Sequence, residues 1–248
     1  MVLRRSRSRR SRQREVKQYL ERLGSRAYLL EGCKMFYRGV ARDPQYWVIR
    51  RFLDNSVTNH DDKIGALALF LTNWNWMKYA RTGYSMKEVE NAIERAVGES
   101  KHLMVSLRGM TLGTLDDGRF EGKIRRVFWI FARKERLIGS TGASKALHAL
   151  RPELFLPWDS KIQAAYHRLH PGYWPTRPAA GEQRCPGVDR MDVCYGHFMC
   201  QFGSVAERVG TGLVIRNRHP ANRFGFSVFL TKAIDECNYR RWTDEKPW

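Results

Sequence analysis

Two side chains in the segment 137–166 stand out as a candidate nucleophile and a candidate charged catalytic group. Lys145 ends a Gly-Ser-Thr-Gly-Ala-Ser-Lys stretch that begins at Gly139, and Asp159 directly follows the apolar run 154–158. An amine of lowered pKa can attack an electrophilic carbon and form a Schiff base. A carboxylate can activate water or stabilise developing positive charge. We therefore interpret Lys145 as a candidate nucleophile and Asp159 as a candidate catalytic carboxylate.

Both candidates also have a structural interpretation. An acid at the start of a helix is an ordinary N-cap. Ser160 and Gln163 form a competing capping box one residue later, which could leave Asp159 for other chemistry. Lys145 could instead be solvated or contact a phosphate. The sequence leaves these alternatives open.

The flanking sequence predicts a turn, a helix, a buried connector and a second helix. Gly139 and Gly142 allow the backbone angles of a tight turn. The segment 143–150 is rich in helix formers with apolar side chains on one face, and Arg151-Pro152 ends that helix. Backbone N–H groups at a helix start bind anions through geometry and dipole. The candidate anion-binding residues of the turn are Gly139, Ser140, Thr141, Gly142 and Ala143.

The composition indicates a polyanionic partner. The 248 residues include 44 Lys and Arg against 25 Asp and Glu, a formal charge of +19, which attracts phosphate backbones and makes binding salt-dependent. Residues 1–14 hold seven arginines, among them Arg4 and Arg5, and no acid. This segment is predicted to be a disordered arm that contacts nucleic acid, or else a solvated tail. An anionic membrane surface is the second candidate partner, but no apolar run approaches about 20 residues, so we expect no membrane span.

A second set of candidate nucleic-acid contacts follows the apolar run 64–71. That run predicts a buried helix, and Asn73, Trp74 and Asn75 come at its end. An aromatic ring with amide groups beside it suits a flipped or unpaired nucleotide. The alternative is that Trp74 belongs to the core, where tryptophan is usually buried. Lys123, at the start of a basic helix, is a further candidate contact.

Four residues near the C-terminus have side chains that bind metals. Cys185, Cys194, His197 and Cys200 form the pattern C-x8-C-x2-H-x2-C, and thiolates with an imidazole can hold zinc. The alternative is that the last three line one face of a helix as buried side chains. We expect no cofactor, with zinc or an iron–sulfur cluster at these positions as the alternative. Five cysteines, an odd number without framework spacing, indicate a reducing compartment.

The order of these features resembles the helix-hairpin-helix DNA glycosylases, the superfamily of endonuclease III and 8-oxoguanine glycosylase. In that superfamily a polar turn faces DNA, and a later glycine-rich hairpin grips the DNA backbone. A lysine and an aspartate can follow the hairpin. Here the turn 73–75, Lys123, the hairpin 139–142, Lys145 and Asp159 come in the same order.

The resemblance implies a fold and a function. The fold is mostly α, an orthogonal helical bundle over 15–248, with the hairpin and catalytic core at about 60–170 and the helices of 171–248 packing back. The function is binding of double-stranded DNA and cleavage of the N-glycosidic bond of a damaged or modified base, in base-excision repair. Attack by Lys145 would add lyase activity. The expected location is the cytoplasm, associated with the nucleoid in a bacterium, or the nucleus.

Three departures from the superfamily pattern favour a different interpretation. The hairpin usually reads Leu-Pro-Gly-x-Gly, whereas here Ile138 replaces the proline and two residues, not one, separate Gly139 from Gly142. The gap from Lys145 to Asp159 is also shorter. These departures favour a non-catalytic DNA-binding module that keeps the hairpin without the chemistry. A third interpretation is an RNA-binding protein that uses the arginine arm and exposed tryptophans.

Overall fold

The computed structural model describes residues 9–39, 44–55, 57–74, 76–115, 120–133, 137–167, 188–210, 219–221 and 228–243. Within these ranges the chain is mostly helical and contains no strand, which confirms the all-α prediction. A short 3-10 turn, Leu112–Thr114, and a π-helical turn, Tyr239–Thr243, join the α-helices. In chain order the α-helices are α1 (Arg9–Leu23), α2 (Arg26–Gly39), α3 (Pro44–Asp54), α4 (His60–Trp74), α5 (Trp76–Thr82), α6 (Met86–Ser106), α7 (Glu121–Ala132), α8 (Gly139–Leu150), α9 (Ser160–His167), α10 (Val188–Val209) and α11 (Leu230–Asn238).

The N-terminal helices differ from the prediction in two ways. Helix α1 begins at Arg9, so the last residues of the arm predicted to be disordered form helical turns, because arginine is a good helix former. Apolar residues spaced for one helix face predict a single helix over 15–30, but the chain forms two helices there, separated at Gly24. A Cβ at Gly24 would lie 2.7 Å from Nε of Arg208, so the break lies where α10 passes closely over the chain.

Helix α6 shows which local signals decide a boundary. Ser85 with Glu88 three residues later predicts a capping box, which is confirmed: Glu88 N donates to Ser85 Oγ at 3.2 Å, and Ser85 N donates to Glu88 Oε2 at 2.8 Å. The sequence also predicts that this helix ends at about Val97 and that another begins at Lys101. That prediction is wrong, because α6 runs through Gly98 to Ser106 without interruption. A glycine inside a helix weakens it by only about 1 kcal/mol relative to alanine, and packing of both halves offsets that loss.

Helix α4 lies at the centre of the bundle, where it packs against α3, α6 and α8. The prediction that it is buried all round is only partly right, since the side chain of Leu69 is 47 % exposed. Its buried residues are Ile64, Leu67, Ala68, Phe70 and Leu71.

The connector between α8 and α9 is buried in an aromatic cluster. The ring of Trp158 lies 5.9 Å from that of Phe128 on α7, and 5.2 and 5.4 Å from Tyr195 and Phe198 on α10. Tyr195 also donates its hydroxyl hydrogen to the carbonyl of Leu156 at 2.8 Å. The aromatic contacts therefore fix the backbone immediately before Asp159.

The C-terminal helices pack against the N-terminal ones. Cys33 Sγ on α2 lies 3.6 Å from the carbonyl of Ala233 on α11, and Cys237 Sγ lies 3.5 Å from the carbonyl of Leu29. Helix α10 packs along α7, where Arg125 donates to Asp192 at 3.1 Å. None of the helices in the described ranges has the length and apolar content needed to cross a membrane.

Candidate functional site

The turn between α7 and α8 is held by side chains of α5. Gly139, the first residue of α8, has φ +69°, a left-handed conformation that favours glycine. The ammonium of Lys78 donates to the carbonyls of Leu137 at 3.3 Å and Ile138 at 3.2 Å, and the hydroxyl of Tyr79 donates to Leu137 at 2.5 Å. Burial raises the pKa of Tyr79 to about 12, so its hydroxyl keeps the proton that it donates.

Gly142 does not belong to the turn, which corrects the sequence prediction. It lies in the first turn of α8, is buried, and does not have a positive φ. A Cβ there would lie 3.1 Å from Cγ2 of Ile138, so glycine is needed for close packing. Ser140 and Thr141 are half-buried, Ala143 is buried, and Ile138 at the N-cap position forms no side-chain hydrogen bond with the helix.

Lys145 points into the protein and contacts Trp74. Its side chain is only 6 % exposed, and its Nζ lies 4.0 Å from the centroid of the Trp74 ring. It is therefore not the solvated lysine of the alternative interpretation. Trp74 is half-buried and packs edge-on against Phe70 at 5.1 Å. Asn73 beside it is exposed, and Asn75 lies outside the described residues.

Asp159 is the N-cap of α9. Its Oδ1 accepts hydrogen bonds from the backbone N–H groups of Lys161 and Ile162, both at 2.8 Å. Its Oδ2 accepts from the hydroxyl of Thr243 at 2.7 Å. The suggestion that Ser160 caps α9 and leaves Asp159 uncommitted is therefore wrong. Three donors fix the carboxylate in place, which suits a stationary negative charge better than a mobile base.

Ser144 links the segments that carry the two candidate catalytic residues. Its hydroxyl accepts a hydrogen bond from Trp158 N at 3.0 Å and lies 3.1 Å from the Trp158 carbonyl. Ser144 directly precedes Lys145, and Trp158 directly precedes Asp159. The segments of Lys145 and Asp159, which are well separated in sequence, are therefore in direct contact.

A basic aromatic patch lies on α7, before the turn. The guanidinium carbons of Arg126 and Arg133 lie 4.7 and 4.4 Å from the centroid of the half-buried Trp129 ring. Lys123, one of the predicted contacts, is half-buried with its Nζ 5.5 Å from the Phe120 ring. Trp129 is not among the predicted contacts, although the arginines three residues before and four residues after it in the sequence indicate such a patch. Arg4 and Arg5 lie outside the described residues.

The predicted metal ligands do not converge on one point in the part of the chain that can be described. Cys194, His197 and Cys200 lie along α10, and Cys185 is outside the described residues. Among the residues that the structure describes, the one group of three or more His, Cys, Asp and Glu side chains with converging ligand atoms is elsewhere. It consists of Cys33, His219 and Glu236.

A cavity of about 390 Å³ lies beside the C-terminal end of α6. Its walls include Lys101, Met104, Arg108 and Arg151, but neither Lys145 nor Asp159. The guanidinium of Arg151 is occupied with helix carbonyls, donating to Leu107 at 3.1 Å. The cavity is therefore separate from the candidate catalytic residues.

Comparison of the chain with protein families, curated proteins and solved structures gave no match. The resemblance to the glycosylase superfamily therefore rests on the order of the motifs in the sequence. Around α8 the structure shows a glycine turn, a buried lysine and an aspartate at the start of the next helix.

Proposed function

We propose that the protein binds DNA and cleaves the N-glycosidic bond of a base, as the glycosylases that it resembles do. The observation that carries this proposal is the hydrogen-bonded contact between Ser144 and Trp158. It brings the segments of Lys145 and Asp159 together, and Lys145 lies against the half-buried ring of Trp74. A nucleophile, a fixed negative charge and an aromatic ring are the groups that base excision needs.

Binding of the DNA backbone would occur at the start of α8. The first backbone N–H groups of that helix have no side-chain cap from Ile138, and the helix dipole favours an anion there. Arg126 is exposed on the preceding helix and can contact further phosphates. The formal charge of +19 supplies the long-range attraction.

The contact between Lys145 and Trp74 suggests how a flipped nucleotide would be received. A base that stacked on the Trp74 ring would take the place of the ammonium now lying 4.0 Å from the ring centroid. Displacement would move the amine towards the attached sugar, where it can attack C1′. Asp159 would stabilise the positive charge that develops on the sugar as the base departs.

A non-catalytic DNA-binding module is the second candidate. The observation that favours it is the complete engagement of Asp159, whose carboxylate accepts two backbone N–H groups and the Thr243 hydroxyl. In this case Asp159 is a helix cap, and Lys145 is a buried side chain that packs on Trp74.

Asp159→Asn is expected to abolish base release while DNA binding is retained. Asparagine caps helices as well as aspartate does, so the fold should survive while the negative charge is lost. If Lys145 is the nucleophile, borohydride should trap the wild-type protein covalently on damaged DNA and should not trap Lys145→Gln. The measurement uses duplexes that each contain one damaged or mismatched base, assayed for abasic sites and covalent adducts. Lys161→Gln, at an exposed lysine near the same helix start, is the matched control.

The outcomes separate the two candidate functions. Base release by wild type and Lys161→Gln, but not by Asp159→Asn, supports a glycosylase. Retained release by Lys145→Gln without trapping of either protein indicates that water is the nucleophile. Absence of turnover on every duplex, with tight binding preserved, would replace the proposal with the non-catalytic module.

The arginines that precede α1 are expected to strengthen binding and its dependence on salt. Serine substitution of Arg4, Arg5 and Arg7 leaves α1 intact, because that helix begins at Arg9. If all three contact phosphates, the slope of log K against log salt becomes shallower by up to about 3. Fluorescence anisotropy over a range of salt concentrations measures the slope for duplex DNA and single-stranded RNA. Lys87→Gln, at an exposed lysine paired with Glu90, is the control.

An unchanged slope for the triple serine variant would show that these arginines make no phosphate contacts. Tighter binding of single-stranded RNA than of duplex DNA at every salt concentration would favour the RNA-binding interpretation and contradict the DNA proposal.

A further inference from the structure

Three buried side chains from distant parts of the chain meet between α2 and α11. They are Cys33 on α2, His219 in the segment 219–221, and Glu236 on α11. All three are buried, and one ligand atom of each lies within 4.8 Å of those of the other two. His219 Nε2 lies 2.7 Å from Glu236 Oε2, and its Nδ1 accepts the backbone N–H of Ala221 at 3.1 Å.

The carboxylate of Glu236 is incompletely satisfied by protein groups. Its Oε2 lies against His219, but its Oε1 is buried without a hydrogen-bond partner among the described residues. Leaving a charged oxygen buried and unpaired is costly, and such groups are normally paired or coordinate a metal.

The hydrogen bond from Ala221 sets the orientation of the His219 ring. Its Nδ1 accepts the Ala221 N–H, so Nε2 is the ring nitrogen that faces Glu236. The ring therefore contacts one carboxylate oxygen, Oε2, and leaves Oε1 of Glu236 to another group.

A divalent cation would place a compensating positive charge beside Oε1 of Glu236. One thiolate from Cys33 and one carboxylate from Glu236 balance two positive charges, and a neutral imidazole adds none. Thiolate, imidazole and carboxylate together suit zinc, whereas magnesium and calcium prefer oxygen ligands alone. Zinc bonds of about 2.0 to 2.3 Å require ligand atoms about 3.5 Å apart. The widest separation in the cluster must therefore shorten by about 1 Å, while Nε2 of His219 and Oε2 of Glu236, now 2.7 Å apart, must separate.

We propose that Cys33, His219 and Glu236 bind a zinc ion that ties α2 to α11. The site is closed to solvent, as structural zinc sites are. The proposal is independent of the proposed glycosylase activity, because it concerns different residues.

Zinc binding involves no oxidation or reduction, and each proton that it displaces has a defined destination. Zinc displaces the proton of the coordinating thiol to solvent. Coordination through Nε2 of His219 breaks the hydrogen bond to Glu236 and places the ring proton on Nδ1. That proton would face the N–H of Ala221, so the Ala221 amide must turn away as the ion binds.

The test uses the full 248-residue chain, purified under reducing conditions and loaded with Zn²⁺ or Co²⁺. We expect one zinc per chain by mass spectrometry of the element. The cobalt form should show the visible bands of tetrahedral Co²⁺ and a near-ultraviolet thiolate-to-cobalt band. Cys33→Ser should lose the thiolate band or reduce its intensity, and should weaken zinc binding by about 100-fold or more. Cys194→Ser, at a buried cysteine on α10, is the matched control.

Zinc should also raise the thermal midpoint of wild type and Cys194→Ser, and a chelator should reverse the effect. If Cys33→Ser does not fold, Glu236→Gln and the wild-type cobalt spectrum still decide. A wild-type protein that takes up no zinc and shows no thiolate band would overturn the proposal. Equal loss of zinc in Cys194→Ser and Cys33→Ser, or a disulfide between Cys33 and Cys237 in the reduced-buffer preparation, would also overturn it.

Discussion

Between pH 6.5 and about pH 3 the protein is expected to lose up to about 5 kcal/mol of stability through His148 alone. Burial lowers the pKa of this histidine from 6.5 to about 3, and the nearby ammonium of Lys232 acts in the same direction. A pKa difference of one between the folded and unfolded states corresponds to about 1.4 kcal/mol. A domain of ordinary stability, about 5 to 15 kcal/mol, would lose much of its margin through this one group.

The surroundings of His148 explain its low pKa. Its Nδ1 lies 2.7 Å from the carbonyl of Phe155, to which it donates, and its Nε2 is buried without a hydrogen-bond partner among the described residues. The ring stacks on Tyr46 at 5.2 Å. The ammonium of Lys232 on α11 and the guanidinium of Arg50 on α3 both oppose a second positive charge there. The hydrogen bond to Phe155 favours protonation but is outweighed.

The direction of the pH effect follows from proton binding in the two states. Below pH 6.5 the unfolded chain protonates this histidine, whereas the folded protein does not until about pH 3. The unfolded state therefore binds more protons in this window, and the free energy of unfolding rises with pH. Above pH 6.5 the ring is neutral in both states, and His148 contributes no pH dependence.

The variant that isolates this contribution is His148→Asn. The asparagine amide can keep the hydrogen bond to Phe155, while the titrating group is removed. Urea denaturation at several pH values gives the free energy of unfolding of both proteins. Their difference should be constant above pH 7 and should change below pH 6.5 with a slope approaching one proton per molecule. Parallel curves from pH 7 to pH 4 would show that His148 titrates normally in the folded protein.

The sequence predicted the parts of the fold that depend on neighbouring residues. Pro44 begins α3, Ser85 and Glu88 cap α6, and Asp159 stands at the start of α9. These signals act over about four residues, through fixed backbone angles and side-chain caps. The boundary between α1 and α2 is different. It lies at Gly24, where Arg208 from a distant helix leaves no room for a side chain, and a single sequence does not reveal such a distant contact.

The candidate sites show the same contrast between local sequence signals and contacts made by distant segments. Lys145 and Asp159 could be named from the motif order, but the burial of Lys145 against Trp74 depends on how α4 packs on α8. The cluster of Cys33, His219 and Glu236 shares no local pattern at all. Distant residues combine only when helices from the two ends of the chain pack together, so residue spacing carried no signal for it.

Asp235→Asn is expected to destabilise the protein by about 3 to 5 kcal/mol. Asp235 Oδ2 lies 3.1 Å from Nζ of Lys232, whose side chain is only 2 % exposed. The ammonium also lies 4.7 Å from the ring of Tyr46, which stacks on His148 of α8. The exchange removes a negative charge at close range from a buried ammonium, between α11 and the residues that support α8.

The matched control is Glu90→Gln, which breaks an ammonium–carboxylate pair at a position exposed to solvent. Lys87 Nζ lies 3.3 Å from Glu90 Oε2, and the lysine side chain is 76 % exposed. Such a pair contributes about 0 to 1 kcal/mol. Chemical denaturation at pH 7 measures both variants, and a smaller loss for Asp235→Asn than for Glu90→Gln would contradict the expected role of burial.

A double variant tests whether the loss of stability in Asp235→Asn comes from its charge interaction with Lys232. Lys232→Met removes the ammonium but keeps an unbranched apolar chain of similar length against Tyr46. Combined with Asp235→Asn, it should recover most of the stability that the single exchange of Asp235 removes. The coupling energy of the cycle then measures the interaction between the two residues. If the double variant is as unstable as the sum of the two single variants, the loss comes from packing around Asp235 and not from its charge interaction with Lys232.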